Sequence, residues 1–279
     1  MCSSDLFPSH DRQSLGKEFR ELFTSEDGMM IAAGDASALE ARVQGHYTTR
    51  FDGGETAREL LESDVHSKTA KALFPDKLGN VDIYSPDFDK EEPEFKQCRN
   101  KAKTIRYGIM YGCGAEKVAS VMGVPANQGG EVLERFWSVN KATKEFRDSV
   151  EEYWEVHGKK FLPAIDGRKL ITRKKNALLN VLFQSCGAIA MDYAGCYMDS
   201  WLGGIKWDEN DKPYYSYKGY IVRRVIYMHD EYQYECSEEI AEEVSRMIEK
   251  AIEKAGETLK LKIPLAGEGK VGKNWKETH

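Results

Sequence analysis

Apolar and polar positions follow a strand-like pattern and then a helical one near the start of the chain. Residues 29–34 (MMIAAG) form a continuous apolar run, which is typical of a buried strand. From Leu39 the apolar positions recur at helical spacing. Asp35 is therefore predicted to lie at the junction between a strand and a helix.

A second strand-rich segment lies near the end of the chain. Residues 221–235 have high β-propensity, interrupted by the charged triplet His229, Asp230 and Glu231. This pattern predicts two strands with the triplet at or near their turn. Apolar residues at 240–255 then recur with a period of 3.6, which predicts a helix.

The middle of the chain is predicted to be mainly helical. It begins with an exposed acidic loop at 75–93 and continues with helical structure from Cys98 onward, one amphipathic helix at 131–154 and a mostly buried helix at 178–197. Two further segments are a turn-rich aromatic stretch at 207–219 and a glycine-rich tail at 263–279. This order of elements predicts an α+β fold with a helical insertion.

Composition narrows the class of protein. A length of 279 residues is enough for two subdomains that share a well-buried core. The net charge of −6 argues against a basic coat protein for nucleic acid, but it does not exclude local basic clefts. Six cysteines without a Cys-x-x-Cys pair disfavour a zinc site and a disulfide framework, and they indicate a reduced intracellular setting. No signal peptide or membrane span is predicted.

One helical segment combines cations with aromatic rings. Arg99, Lys103, Tyr107 and Tyr111 recur in steps of four, so a helix places them along one side. Guanidinium and ammonium groups bind phosphates, and flat rings stack on a base or a sugar. A solvated basic stripe with two buried tyrosines is the plainer interpretation. The glycines in this segment favour the functional one because they cost helix stability and permit close approach.

Asp35 and Asp230 are candidate metal ligands. Each follows or interrupts a predicted strand, so each carboxylate is exposed at a sheet edge and held rigidly. Two such carboxylates, if brought together, can bind paired Mg²⁺ ions. Taken separately, Asp35 is as well explained as a helix cap and Asp230 as an ordinary turn residue.

In combination these segments resemble three ordered motifs of family A, the polymerase-I-like DNA polymerases, and most closely their short phage branch. GDASALEARVQGHY resembles the first carboxylate motif, RNKAKTIRYGIMYG the fingers-helix motif, and VIYMHDEYQYE the His-Asp-Glu motif. SDVHSKTA, NVLFQSCGA and GEGKVGKNW resemble further family segments. The resemblance covers the chain from about residue 6. It implies an antiparallel palm sheet that holds both aspartates and an inserted, mostly helical fingers subdomain.

The resemblance also implies roles for the acidic residues. Asp35, Asp230 and the backbone carbonyl of Ala36 would hold two Mg²⁺ ions, and Glu231 would support that site. One ion would lower the pKa of the primer hydroxyl, and the other would neutralise the departing pyrophosphate.

The incoming dNTP would be held by residues of the two middle motifs. The side chains implied for its triphosphate are Arg99, Lys103 and His66. Lys103 would protonate the leaving group, and Tyr107 would stack against the incoming base and sugar. Glu40, hydrogen-bonded to Tyr111, would act as a steric gate against a ribose 2′-hydroxyl. Because many relatives have Phe where this chain has Tyr107, we expect weak discrimination against dideoxynucleotides.

The residues implied for primer and template contacts are Arg168, Asn180, Gln184 and His229. Arg173 and Lys174 lie in the most basic stretch, a candidate track for DNA phosphates. Plainer interpretations remain for three of the assigned residues: a surface histidine for His66, a satisfied polar group in the core for Gln184, and a solvated basic turn for Arg168.

The expected organisation is palm at 1–63, fingers at 64–185 and palm again at 186–279. Family A enzymes also carry a thumb and a 3′–5′ exonuclease, for which this length has no room. We therefore expect a split phage polymerase whose partner polypeptide supplies a thumb and an exonuclease, with a truncated gene product as the alternative origin. The expected location is the cytoplasm of an infected host.

The leading interpretation of function is a template-directed DNA polymerase that acts on primed DNA and dNTPs. The alternative from another class is an inactive nucleic-acid-binding or assembly subunit that kept the fold. A related RNA polymerase is a third interpretation, which rNTP incorporation by Glu40→Ala would test.

Overall fold

The computed structural model describes residues 15–279. In chain order its elements are α1 (Leu15–Glu21), β1 (Met29–Ala36), α2 (Leu39–Asp52), α3 (Glu55–Glu62), α4 (Val65–Leu73), α5 (Pro75–Leu78), α6 (Pro93–Met110), α7 (Ala115–Met122), α8 (Gly129–Ser138), α9 (Lys141–Val156), β2 (Phe161–Pro163), β3 (Lys169–Ile171), α10 (Leu178–Trp201), β4 (Lys206–Trp207), β5 (Pro213–Tyr217), β6 (Tyr220–Met228), β7 (Glu231–Ser237), α11 (Glu238–Thr258), β8 (Gly267–Gly272) and α12 (Trp275–Thr278).

The chain divides into two compact units. Among the described residues, the first, called the sheet unit below, combines residues 15–39 with 187–279, and the second, the helical unit, is residues 40–186. The boundaries fall inside α2 and α10. A mostly helical unit is thus inserted into the sequence of a unit built on an antiparallel sheet, so the predicted α+β fold class is confirmed.

The sheet unit contains a six-stranded sheet in the order β4-β5-β6-β7-β1-β8. Each neighbouring pair is antiparallel. In this register Asp35 near the end of β1 lies opposite Glu231 at the start of β7, and opposite Glu268 of β8 on its other side. The sheet therefore gathers acidic residues from three strands at one place.

Helix α11 covers β1, β7 and β8. The close approach requires Gly34, because a Cβ at that position would lie 2.4 Å from Cγ2 of Ile248. Tyr232 is fully buried, and its hydroxyl donates to the carbonyl of Met191 on α10. These contacts hold β1 and β7, the strands that carry Asp35 and Glu231, in a rigid frame.

The helical unit is built around α6, which packs on α4 and α7. Leu73, Ile105 and Phe136 are almost completely buried. In a separate aromatic cluster, the ring of Phe146 stacks on Tyr47 with a centroid distance of 5.0 Å and on Phe183 with a centroid distance of 6.0 Å. One side of α6 is thereby fixed in the core, and its other side is left to solvent.

Several predicted elements are confirmed. The strand at 29–34 corresponds to β1, the two strands around the charged triplet are β6 and β7, and the helices at 178–197 and 240–255 are α10 and α11. Helical structure begins at Pro93, slightly before the predicted Cys98.

One predicted helix was wrong, and three further segments contain elements that the sequence pattern did not predict. The single helix at 131–154 is two helices, α8 and α9, because the chain leaves helical geometry at Asn140, with φ of −128°. The turn-rich segment at 207–219 contains β5 and part of β4, the tail at 263–279 contains β8 and α12, and the acidic loop begins with the single turn α5. Within residues 15–279 no helix has the length and apolar character needed to cross a bilayer.

Candidate active site

Asp35 and Asp230 lie together in the sheet unit. Asp35 is the penultimate residue of β1, and Asp230 occupies the turn between β6 and β7. The backbone N–H of Ala36 donates to the carbonyl of Asp230 at 2.8 Å, which ties the two acidic segments together. Both carboxylates are half-buried. The pairing that sequence motifs predicted is therefore present in the fold.

The two carboxylates destabilise each other's charge. Burial, followed by the negative charges of Asp230 and Glu231, raises the pKa of Asp35 to about 7. Burial also raises the pKa of Asp230, and the charge of Glu231 adds to that increase. Because both carboxylates are desolvated and repel each other, binding of a cation beside them is strongly favoured.

The donor set suits Mg²⁺. Within the described residues, no group of three or more His, Cys, Asp or Glu side chains has metal-binding geometry. The acidic side chains of Asp35 and Asp230 offer carboxylate oxygens at this place. Magnesium is bound in this manner, by one or two carboxylates with water and substrate phosphates completing the octahedron.

Glu231 is held by the C-terminal end of the chain. Its carboxylate is 3% exposed and accepts from Nε1 of Trp275 at 2.6 Å and from a ring nitrogen of His279 at 2.9 Å. The side-chain amide of Gln233 donates to the same carboxylate. This network buries Glu231 away from solvent, so its geometry suits support of the site rather than direct chemistry. The sequence did not single out Trp275 or His279. Only the segment GEGKVGKNW, which includes Trp275, resembled a family motif.

His229 precedes this pair in an unusual conformation. Its φ is +56°, a left-handed value that few non-glycine residues adopt, and its side chain is exposed. The tight turn therefore projects the imidazole outward while Asp230 stays half-buried.

In the helical unit, α6 presents the predicted cationic and aromatic face. Lys103 is exposed, Tyr107 is 39% exposed and Tyr111, which follows the last helical residue, is 47% exposed. The alternative of a stripe with two buried tyrosines is therefore wrong. Two cations and two phenols are available on this side of the helix, because Arg99 is also partly exposed.

His66 faces the same side from α4. Its ring centroid is 5.9 Å from that of Tyr107, and within residues 15–279 its buried Nδ1 has no hydrogen-bond partner. Burial, reinforced by the positive charges of Arg106, Arg99 and Lys103, lowers the pKa of His66 to about 4. The imidazole is thus neutral at physiological pH, in a setting that attracts anions.

Arg99 is engaged by Asp64, a residue that sequence reasoning did not single out. The guanidinium donates through Nε at 2.8 Å and through Nη2 at 3.1 Å to the two oxygens of Asp64. Burial alone would raise the pKa of Asp64, but hydrogen bonds from Arg99 and Ser67 outweigh it and hold the pKa at about 2. The signal was present in SDVHSKTA, where an Asp precedes a helical pattern in the position of an N-cap.

Glu40, Tyr111 and Gln184 form a chain of long contacts. The Tyr111 hydroxyl donates to Glu40 Oε2 at 3.4 Å, and Gln184 Nε2 donates to the same hydroxyl at 3.4 Å. Burial and the charge of Glu40 raise the pKa of Tyr111 to about 12, so the phenol keeps its proton. Gln184 is exposed, and the alternative of a core polar group is wrong for it.

The other predicted DNA contacts lie elsewhere in the helical unit. Arg168 is in the β2–β3 hairpin and pairs with Asp166 at 2.6 Å, while Arg173 and Lys174 are exposed just after β3. Asn180, near the start of α10, has a buried Oδ1 without a hydrogen-bond partner among the described residues. The hairpin therefore presents an exposed basic segment, in which Arg168 also serves the local turn.

The chain is similar in sequence to DNA polymerases of two phages. The chain is 32% identical to the DNA-directed DNA polymerase of Enterobacteria phage T3 and 31% identical to that of Escherichia phage T7. Each match covers 96% of this chain but 37% of the relative, so the chain spans little more than a third of those proteins.

Its fold is similar to the POL domain of Pol1 from M. smegmatis, solved in complex with a DNA primer-template and dNTP. The TM-score is 0.72 at 20% identity, over 96% of this chain and 44% of that one. The family model for DNA polymerase family A matches residues 7–277. Because that match spans nearly the whole sequence, the chain belongs to DNA polymerase family A.

Proposed function

We propose that this chain carries the polymerase activity of its family, the template-directed transfer of a nucleotide from a dNTP to a primer 3′-hydroxyl. The observation that carries the proposal is the Asp35–Asp230 pair: both carboxylates are half-buried, and the backbone N–H of Ala36 donates to the backbone carbonyl of Asp230. Raised pKa values are typical of acidic residues at functional sites. In a family A chain this pair has the character required to bind the catalytic metals.

Asp35, Asp230 and the carbonyl of Ala36 would hold two Mg²⁺ ions, which supply Lewis-acid activation of the primer hydroxyl and neutralise charge on the leaving pyrophosphate. Glu231, fixed by Trp275 and His279, keeps the β7 side of this site rigid. The sheet unit in this proposal is the palm.

The proposed fingers, residues 64–185, lie within the helical unit, and this unit supplies dNTP recognition. Lys103, exposed on α6, donates a proton to the leaving pyrophosphate, while Arg99 and the neutral imidazole of His66 bind the phosphates. Tyr107 stacks on the incoming nucleotide. Glu40, held by Tyr111, blocks a ribose 2′-hydroxyl and so favours deoxyribonucleotides.

Primer and template are bound by polar side chains, most of which are exposed. The proposed contacts are Arg168, Arg173, Lys174, Asn180, Gln184 and His229. Arg and Lys contacts to phosphates add affinity without sequence preference, which suits a replicative enzyme.

The phage relatives are much longer than the matched region. We propose that the duplex grip of a thumb, and proofreading by an exonuclease, come from polypeptide outside residues 1–279, such as the second subunit of a split polymerase. On that arrangement residues 1–279 bind DNA weakly and extend primers distributively.

Primer extension by the purified chain, with Mg²⁺, four dNTPs and low salt, tests the proposal. Asp230→Asn is the active-site variant, and Asp208→Asn, in the connection between β4 and β5, is the matched control. We expect extension by the wild type and by the control, and loss of at least about a thousandfold with Asp230→Asn. Absence of extension by the wild type, even with a supplied thumb polypeptide, would instead support the inactive-subunit interpretation.

A further inference from the structure

One carboxylate joins the two elements that carry the candidate phosphate ligands. Asp64 precedes α4 as its N-cap, and its Oδ1 accepts from the backbone N–H of His66 at 3.1 Å and of Ser67 at 3.2 Å. Its Oδ2 accepts from the Ser67 hydroxyl at 2.9 Å. The same two oxygens accept the fork of Arg99 from α6. Asp64 therefore bonds both to the turn that bears His66 and to Arg99 itself.

We infer that Asp64 is a positioning residue for the triphosphate, which sets the Arg99 guanidinium and the His66 imidazole in one fixed arrangement before a nucleotide binds. The inference rests on the proposed function, because the ligand that both side chains would share is the polyphosphate of a dNTP. Asp64 itself does not touch the nucleotide in this proposal.

The geometry of the guanidinium supports a positioning role. Arginine has five N–H donors in a planar fork, and a carboxylate that binds Nε and one Nη fixes the plane of the whole group. Two of the five donors of Arg99 engage Asp64, which leaves three for phosphate oxygens. A long side chain that is already ordered loses less entropy when a ligand binds.

The helix cap supports the same role for His66. His66 is the second residue of α4, in the first turn, where the backbone N–H groups lack partners within the helix. By accepting from two of them, Asp64 fixes the turn from which the imidazole projects. The pair Lys68–Glu59 anchors the next turn of α4, so the helix start is held from both sides.

Asp64 could instead compete with the phosphate for Arg99, because an acidic partner reduces the positive charge that the guanidinium offers to a phosphate. Positioning predicts weaker phosphate binding when Asp64 loses its charge, whereas competition predicts tighter binding. The sign of one measured change therefore decides between them.

Asp64→Asn is the informative variant. Asparagine is as good an N-cap as aspartate, so α4 is retained while the charged fork with Arg99 is lost. Asp52→Asn is the matched control, because Asp52 accepts from the backbone N–H of Gly54 at 2.9 Å and of Thr56 at 2.8 Å at the start of α3. Both changes remove one negative charge from a helix-end aspartate of the same unit.

The first measurement is calorimetric binding of inorganic tripolyphosphate with Mg²⁺ to the full chain, which needs neither DNA nor catalysis. We expect Asp64→Asn to weaken binding about tenfold and Asp52→Asn to change it less than about twofold. Unchanged or tighter binding with Asp64→Asn, an equal loss in both variants, or no binding by the wild type would overturn the inference.

The second measurement is steady-state primer extension at varied dNTP concentration. Asp64→Asn should raise KM for dNTP about tenfold and change kcat much less. The reason is that the variant leaves Arg99 and His66 less ordered before the nucleotide binds but removes no reacting group. If tripolyphosphate binding depends on Asp64 but the wild type extends no primer, the positioning role stands and the proposed polymerase activity fails. A loss confined to kcat would contradict the role.

Discussion

Asp35 carries its charge in a half-buried position beside Asp230 and Glu231, and this arrangement costs stability when no cation is present. Asp35→Asn removes one of the repelling charges. We expect the variant without Mg²⁺ to unfold about 2–4 °C above the wild type at pH 8, which corresponds to roughly 1 kcal/mol for a chain of this size. Thermal unfolding in EDTA measures the difference.

Added Mg²⁺ should reverse the order. A cation that binds the folded site stabilises the wild type by mass action, and the variant lacks one of the two carboxylates that hold it. Asp208→Asn, in the connection between β4 and β5, should respond to Mg²⁺ as the wild type does. Equal Mg²⁺-induced shifts in wild type and Asp35→Asn would mean that Asp35 does not bind the ion.

His66 should contribute a pH dependence to stability. Its pKa is about 4 in the folded chain and about 6.5 when unperturbed. Between these values the unfolded chain binds a proton that the folded chain does not, so stability rises with pH across this window and falls as pH is lowered through it. We expect His66→Gln to reduce proton uptake on unfolding by up to about one proton, measured from urea midpoints between pH 4 and 7. An unchanged pH profile would show that His66 titrates normally.

Tyr107 should govern the choice between deoxy- and dideoxynucleotides. It is 39% exposed on α6, and in the proposed site its hydroxyl substitutes for the missing 3′-hydroxyl of a dideoxynucleotide. Loss of one hydrogen bond to a charged partner suggests that Tyr107→Phe increases discrimination against ddNTPs about 10- to 100-fold. Competitive incorporation of ddNTP and dNTP measures the ratio, and equal selectivity in both proteins would contradict the role.

At the scale of elements, the end of α6 depends on a glycine. Gly112 has φ of +85°, and a Cβ there would lie 2.0 Å from the backbone oxygen of Asn176. The amide of Asn176 also donates to the carbonyl of Gly112 at 2.9 Å. Gly112→Ala must therefore strain the backbone and push apart the end of α6 and the chain before α10.

We expect Gly112→Ala to destabilise the folded chain by about 3 kcal/mol or more in urea denaturation. Gly123→Ala isolates the backbone contribution, because Gly123 has φ of +78° but nothing within 4 Å of its Cβ position. Its expected cost is about 1 kcal/mol. Equal costs for the two variants would show that the contact with Asn176 relaxes without strain.

Local patterns predicted the elements that are continuous and long. The run at 29–34 and the 3.6-residue period at 240–255 correspond to β1 and α11 because burial of one face sets each pattern. The break at Asn140 escaped prediction, since apolar positions keep a helical phase on both sides of it. The strand β8 was not predicted either, because glycines have low β-propensity. They are needed there for close packing against α11: a Cβ at Gly269 would lie 2.4 Å from Ser245 Oγ.

The residues of the candidate site could be predicted where they lie within one sequence motif. Asp35 and Asp230 are far apart in sequence, and their pairing followed from the family resemblance rather than from either segment alone. Asp64 with Arg99, and Glu231 with Trp275, are side-chain contacts across long sequence separations, which no local pattern encodes. Their discovery required the fold.

At the scale of the whole molecule, a net charge of −6 coexists with an exposed basic segment after β3. Repulsion from the overall charge weakens DNA binding, so affinity must depend on a few local cations. In the proposed polymerase, Arg173 and Lys174 each neutralise one DNA phosphate and release a counterion. Binding should therefore weaken with rising salt and show little preference for DNA sequence.

Replacement of both Arg173 and Lys174 by Gln should weaken binding to primed DNA at low salt. It should also make the negative slope of log affinity against log salt shallower by about 2, one for each lost phosphate contact. Lys250→Gln with Lys254→Gln, on the exposed side of α11, removes the same charge and should leave the slope unchanged. Fluorescence anisotropy over a salt series measures both. If the two double variants lower the slope equally, general charge rather than a phosphate track at the hairpin determines DNA affinity.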